Sequence, residues 1–314
     1  MSAINLVNVK DIGYEEWLKY RQLGIGGSDA AAACGLSKWK SRAQLFFEKT
    51  SPIKTNDDNE RLRQGRDFED YVAKRFSEET GKKVRRNNFM MRDADFPFLL
   101  ADIDREVVGE NAILECKTTS PFNKSQWENG QIPLQYELQC HHYMMVTGAS
   151  RCYIACLIFS TDFFYRVIER DEETIEMLRE REVDFWTNYV EKNIIPPPDG
   201  SIAYDDALKM KYKGDDPETI ELDLKESDYR DYLHNKDLIK VLEEQNRLYE
   251  QKIKLQLGDN QSGENDRLFI TRKPQVRKSI DSKRLKKEKP EIYENYMKSS
   301  EYRVLRIKEK EIES

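Results

Sequence analysis

Two acids and a lysine stand out first. In "LECKT", Glu115 and Lys117 lie two residues apart, so on a strand their side chains share one face. Leu114 and Cys116 then face the other way, toward a core. Upstream, "DIDRE" carries Asp102 and Asp104, and a hairpin through "GEN" brings one of them beside Glu115. Alternation puts both aspartates on one face and does not choose between them. Carboxylate oxygens suit hard divalent cations, and Mg²⁺ among these usually keeps several waters. A cation held there polarises a phosphoryl oxygen and lowers the pKa of a bound water. The lysine would orient or deprotonate that water, or offset charge in the transition state. Taken alone, such a triplet is more often a Glu/Lys pair on a half-buried strand.

Two further segments add to this chemistry. In "GRDFEDYVAKRF", a helix that buries Phe68, Val72 and Phe76 leaves Glu69 at the border of the apolar stripe, placed as a further ligand. "RQLGIGGSDAAAACG", Arg21 to Gly35, sets glycines just ahead of an alanine-rich helix. It lacks the G-x-x-x-x-G-K-[ST] spacing, and no buried strand is expected to lead into it, which excludes a nucleoside triphosphate loop. Gly24, Gly26 and Gly27 would let the backbone turn tightly and approach a ligand. Ser28 or Asp29 caps the helix, whose first N–H groups favour an anion. Arg21 adds a planar fork suited to phosphate.

The elements that must position these groups read as a mixed α/β domain over residues 1–199. "GYEEWLKYRQ" and "SRAQLFFEKT" are short helices, and "ERLRQGRDFEDYVAKRFSEETG" is a longer one that stops at Gly81. "FLLADIDREVV" and "AILECKTT" form one hairpin; "RCYIACLIFS" and "FFYRVIER" form another. Between them a helix starts after Pro133 and ends at Gly148, and a charged helix covers about 170–193. Pro196–Pro198 close the domain. Residues 200–314 form a C-terminal extension with a charged helix over about 224–257 and a basic segment over 267–289. On that helix Tyr232, Ile239, Leu242, Tyr249 and Ile253 recur at three, four or seven residues, a spacing compatible with a coiled-coil arm.

Composition sets the bounds. The chain has 314 residues, 35% of them charged, and a net charge of −6. The segment 267–289 holds ten Lys/Arg against two acids, a local +8 that leaves −14 for the rest. A basic segment beside an acidic body is compatible with contact to a polyanion, and equally with a solvated tail. No apolar run approaches the roughly 18–20 residues that span a bilayer, and the N-terminus does not resemble a secretion signal. Five cysteines suit a reducing compartment. Cys152 and Cys156 are roughly 13 Å apart on one strand, too far for one disulfide or one zinc. His141 and His142 point about 100° apart on a helix and suit packing rather than metal binding. Trp17 and Trp39 flank the glycine stretch and either pack beneath it or touch whatever binds there.

Four blocks now fall into one order: "WLKYRQLGIGGSDAAAACGLSKWKS", "GRDFEDYVAKRF", "LLADIDREVV…AILECKTT" and "LQYELQCHHYMMVTG". They resemble the YqaJ-type viral recombinase family, which is related to phage lambda exonuclease within the PD-(D/E)xK nuclease superfamily. The likeness covers about residues 14–195. It implies a restriction-endonuclease-like core, a mixed central sheet flanked by helices. It also implies a Mg²⁺-dependent exonuclease that digests one strand of linear duplex DNA from a 5′ end and leaves a 3′ overhang for a single-strand annealing protein. Carried over by position, Glu69, Asp104 and Glu115 would bind metal with the backbone carbonyl of Cys116, and Lys117 would be the catalytic lysine. Arg21 and Ser28 match the pocket for the 5′-phosphate, Gln139 a motif glutamine near the active site, and Tyr136 the same wall. Two Mg²⁺ ions, replaceable by Mn²⁺, a homo-oligomeric ring around DNA and the cytoplasm of a phage's bacterial host complete the expectation. No proline precedes Asp104, a departure from the family pattern. The alternatives are a structure-specific endonuclease on the same core, or a catalytically silent DNA-binding scaffold for recombination. A silent member should have lost one of Glu69, Asp104, Glu115 and Lys117.

Overall fold

The computed structural model describes residues 3–52, 60–214, 217–299 and 303–308. It divides into two compact units, Met1–Asp216 and Pro217–Ser314. The first unit opens with β1 (Ile4–Asn8), α1 (Tyr14–Gln22), β2 (Ile25–Gly26), α2 (Gly27–Ala33), α3 (Arg42–Thr50) and α4 (Glu60–Thr80). There follow β3 (Val84–Arg86), β4 (Phe89–Arg92), β5 (Leu99–Ala101), β6 (Arg105–Val107) and β7 (Ala112–Thr119). Then come α5 (Leu134–Thr147), β8 (Arg151–Ile158), β9 (Asp162–Glu169), α6 (Glu172–Phe185) and α7 (Ile202–Lys211).

Five strands form the central sheet in the order β3-β6-β7-β8-β9. β7 and β8 run parallel from Ala112↔Arg151 to Thr119↔Ile158, while the other pairs are antiparallel, so the sheet is mixed. Parallel neighbours need a crossover, and α5 lies within this one. Side-chain alternation then divides the core. Leu114 packs with Val72, Ala73 and Phe76 of α4, whereas Ile113 belongs to the cluster holding Cys140 and Met144 of α5. Glu115 and Lys117 follow Ile113 in phase and emerge on the α5 side.

The sequence expects an unbroken strand through "FLLADIDREVV", and here the structure differs. β5 ends at Ala101 and joins a second sheet, β1-β4-β5-β2, while β6 begins at Arg105 in the central one. Residues 102–104 turn the corner between the two sheets, so strand alternation does not govern them. The glycine stretch also contains an unexpected buried strand. Ile25 is fully buried, and Ile25–Gly26 pair in parallel with Leu99–Leu100.

Three smaller expectations change as well. Neither Ser28 nor Asp29 caps α2; Gly26 does, and Asp29 is the third helical residue, accepting from the Gly26 N–H at 3.4 Å. Phe68 is not core like Val72 and Phe76, but stacks edge-on against Phe159 at the margin. The first unit also runs past the prolines, because α7 returns to it. Tyr204 and Ala207 of α7 cluster with Ala43 of α3, and the Tyr204 hydroxyl donates to the Pro196 carbonyl at 2.8 Å.

In the second unit, α8 (Glu226–Leu257) carries the expected stripe, with Tyr232, Ile239, Leu242, Tyr249 and Ile253 all exposed. A hairpin of β10 (Ser262–Glu264) and β11 (Phe269–Thr271) follows, then α9 (Ser282–Glu288) and α10 (Pro290–Asn295). The basic segment is therefore divided between β11, an irregular run and α9. No helix among the described residues is long and apolar enough to cross a membrane. All five cysteines are free thiols.

Candidate active site

β7 sets the centre. Lys117 Nζ donates to Glu115 Oε1 at 2.7 Å and to Gln139 Oε1 at 3.0 Å. Gln139 Nε2, from α5, donates to the same Glu115 oxygen at 2.7 Å. Tyr136, one helical turn earlier on α5, places its ring 4.9 Å from Lys117 Nζ, within cation–π range. At the corner between the sheets, Asp104 Oδ2 accepts from the backbone N–H of Cys116 at 2.7 Å. Asp104, Glu115, Lys117, Gln139 and Tyr136 thus meet at one wall of a cleft of about 1020 Å³.

The electrostatics are those of acids short of positive charge. Burial raises the pKa of Asp104 well above the carboxylate range, and Glu115 and Glu69 add to the rise. Burial also raises Glu115, though Lys117 pulls against it. Glu115 Oε2 is buried without a hydrogen-bond partner. Such an orphaned oxygen costs free energy unless something positive meets it. Burial opposes the charge on Lys117, yet Glu115 and Asp104 outweigh it and lift its pKa above the ordinary lysine value. Lys117 is accordingly a fixed cation.

Glu69 is close but engaged elsewhere. Arg105, 4% exposed, binds Glu69 through Nη1 and donates to Asp70 at 2.6 Å through Nη2. Arg105 pairs with Leu114 across the β6–β7 ladder and so lies on the α4 face, where Glu69 and Asp70 project. Among the described residues no three His, Cys, Asp or Glu side chains converge tightly enough to hold a metal as they stand. The fit to a hard divalent cation therefore rests on Asp104 and Glu115, with an all-oxygen donor set and an unpaired buried oxygen between strong repulsions. Glu69 joins them only on leaving Arg105.

Across the cleft lies a cationic pocket. Arg21 Nη2 donates to Ser28 Oγ at 2.8 Å and to Asp29 Oδ2 at 3.2 Å. Lys49 Nζ meets Asp29 Oδ2 at 2.7 Å, and Lys40 approaches its other oxygen at 3.6 Å. Burial alone would raise the Asp29 pKa, but Lys49, Arg21 and Lys40 hold it far below the usual range. Lys40 also pairs with Glu48 at 2.6 Å, so three cations face two acids and one positive charge is left. Arg21 and Ser28 line the cleft. The glycines serve mainly internal packing. A Cβ on Gly24 would sit 2.1 Å from the Phe98 carbonyl oxygen, and one on Gly27 would sit 2.6 Å from the Tyr143 ring. Only Gly35 in this stretch has a positive φ, at 70°.

Two participants carry no signal in the sequence. Asp29 passes for a helix cap but is the buried hub of the cationic pocket. Arg105 adjoins Asp104, yet only strand register shows that it reaches α4. Of the two aspartates, Asp104 meets the Cys116 amide, while Asp102 Oδ2 accepts from Trp17 Nε1 at 2.8 Å. Trp39 is 77% exposed and does not pack beneath the glycine stretch. His141 and His142 are both buried in packing roles, His142 between Glu182 and the Leu100 carbonyl.

A family model of the YqaJ-like viral recombinase domain matches residues 16–150. The uncharacterized protein YqaJ of Bacillus subtilis is 38% identical over 309 residues, 97% of each chain. Among solved structures, an alkaline exonuclease from Laribacter hongkongensis is 19% identical with a TM-score of 0.49, covering 63% of this chain and 97% of its own. A phage-related exonuclease from Haemophilus somnus is 17% identical with a TM-score of 0.42, covering 56% and 97%.

Proposed function

Because this chain belongs to the YqaJ-like viral recombinase family, we propose that it is a metal-dependent exonuclease of linear double-stranded DNA, cutting 5′→3′ from a phosphorylated end. Its product is a 3′ single-stranded overhang, the substrate of a strand-annealing partner in phage recombination. The observation that carries this reading is the shared cleft, lined by Asp104, Glu115 and Lys117 together with Arg21 and Ser28. Only an enzyme that works from an end gains from holding a terminal phosphate, which favours the exonuclease over an endonuclease on the same core.

Asp104, Glu115 and the Cys116 carbonyl would hold Mg²⁺, or Mn²⁺ in its place, with Glu69 as a further ligand and room in the proposal for two ions. When bound, the metal supplies Lewis acidity toward the scissile phosphate and a more acidic water. The protein's own groups do the rest. Lys117, kept protonated by its acidic neighbours, offsets negative charge that grows on the phosphoryl oxygens. Gln139 bonds both Glu115 and Lys117 and fixes their relative orientation. The Tyr136 ring covers the lysine and limits its motion. Arg21, pre-oriented by Asp29 and Ser28, supplies charge-assisted hydrogen bonds to the 5′-phosphate.

The test compares linear duplex with covalently closed circles in Mg²⁺. The exonuclease reading expects the linear form alone to be degraded. Equal cutting of closed circles would transfer the assignment to the endonuclease. A homo-oligomeric ring that encloses DNA is part of the proposal, and mass in solution tests it separately.

A further inference from the structure

Asp102 and Asp104 are two residues apart, yet they serve different partners. Asp104 faces the Cys116 amide in the acid centre. Asp102 accepts the indole N–H of Trp17 at 2.8 Å, joining the corner between the sheets to α1 across 85 residues of sequence. Trp17 in turn lies under the Arg21 guanidinium, 5.2 Å from ring centroid to Cζ, and stacks with Tyr14 at 5.7 Å. α1 has no fully buried side chain, so Trp17 is not there to fill the core. The helix turn that carries Arg21 is therefore held by polar contacts rather than apolar packing: Trp17 to Asp102 on one side, and Lys49 Nζ to the Arg21 carbonyl at 3.0 Å and Gln22 Nε2 to the Ser51 carbonyl at 2.6 Å on the other.

We propose that Asp102 is a positioning residue that acts through Trp17 to fix Arg21 at a set distance from the Asp104–Glu115 pair. The inference rests on the exonuclease reading and deepens it. The span between the phosphate anchor and the acid pair decides which phosphodiester is presented for cleavage, so Asp102 sets both the preference for a 5′-phosphate and the length of the released product. A Trp Nε1–H needs only an acceptor oxygen, which an asparagine also offers. The role thus requires the hydrogen bond and not the charge, unlike a metal ligand.

The experiment uses the full-length protein with Asp102→Ala, Asp102→Asn, Trp17→Phe and the Asp102→Ala/Trp17→Phe double variant. Rates on 5′-phosphorylated and 5′-hydroxyl linear duplex give the phosphate preference, and product sizes report register. Asp102→Ala and Trp17→Phe are each expected to reduce the preference by up to about tenfold, the worth of one ordinary hydrogen bond, and to broaden the products beyond mononucleotides. The double variant should be no worse than either single one, because both break the same contact. Asp102→Asn should keep wild-type preference and turnover. Additive losses in the double variant would overturn the proposal. So would an Asp102→Asn protein that loses turnover while keeping its preference, since that result marks a metal ligand. If Asp102→Ala does not fold, Trp17→Phe and Asp102→Asn still give opposite expected results. Arg21→Ala separates the two readings: preference unchanged there rejects the phosphate anchor itself, whereas a loss there with Trp17→Phe unaffected rejects only the positioning role.

Discussion

Glu115 and Lys117 meet at 2.7 Å on one face of β7, and the contact uses only one of the two carboxylate oxygens. Glu115 Oε1 takes both the lysine and Gln139, while Oε2 stays buried and unpartnered. That division leaves one oxygen unpaired and ties the other to the groups that orient it.

Replacing either member separates chemistry from binding. Glu115→Gln and Lys117→Met are each expected to slow strand degradation by about 10²–10⁴-fold, with binding of linear duplex kept within a few-fold. Titration calorimetry with Mn²⁺ distinguishes their roles. Binding should be lost in Glu115→Gln and retained in Lys117→Met; equal loss in both would deny the carboxylate its separate role.

This centre was legible because strand alternation is a local rule. The two-residue spacing of Glu115 and Lys117 and the apolar phase of Leu114 follow from the period of a strand alone. Asp102 and Asp104 escaped the same rule because the chain leaves one sheet and enters another between Ala101 and Arg105. Nothing in "FLLADIDREVV" marks that corner. The grip of Arg105 on Glu69 is likewise a tertiary matter, set by how α4 lies on the sheet.

The glycine stretch gives a pair of contrasting expectations. A methyl on Gly24 would press into the Phe98 carbonyl at 2.1 Å, where backbone cannot yield cheaply. Gly24→Ala should therefore cost about 1–3 kcal/mol, the usual range for overpacking. At Gly26 the nearest contact would be Arg21 Nη2 at 3.7 Å, an ordinary distance, so Gly26→Ala should cost less, no more than about 1 kcal/mol for the poorer N-cap. Chemical denaturation of the two variants checks this, and equal losses would contradict the packing account.

The sequence reads these glycines as letting the backbone approach a ligand; at Gly24 and Gly27 they let it approach β5 and α5. A glycine reports that something comes close, and only tertiary structure says what.

A buried ion pair predicts a pH dependence of stability. His142 Nδ1 lies 2.9 Å from Glu182 Oε2, and Nε2 lies 2.8 Å from the Leu100 carbonyl, so both ring nitrogens face acceptors. Burial opposes the imidazolium charge, but Glu182 and the carbonyl outweigh it and raise the pKa above 6.5. The native state thus holds its proton more tightly than the unfolded chain does. This contribution is complete below about pH 6.5 and declines as pH rises through the native pKa. Glu182→Gln should flatten the decline. Urea unfolding of both proteins from about pH 6 to pH 9 gives the comparison, and a gap between them that widens with pH would refute the assignment.

The most direct test of the whole account follows the fate of the terminal phosphate. A linear duplex labelled on both 5′-phosphates is incubated with Mg²⁺ and the wild-type protein, and the first products are sized. Labelled mononucleotides are the expected earliest product, their release abolished by Glu115→Gln and strongly slowed when the 5′-phosphate is removed. Labelled oligonucleotides cut from internal positions, or release that persists in Glu115→Gln, would contradict that expectation.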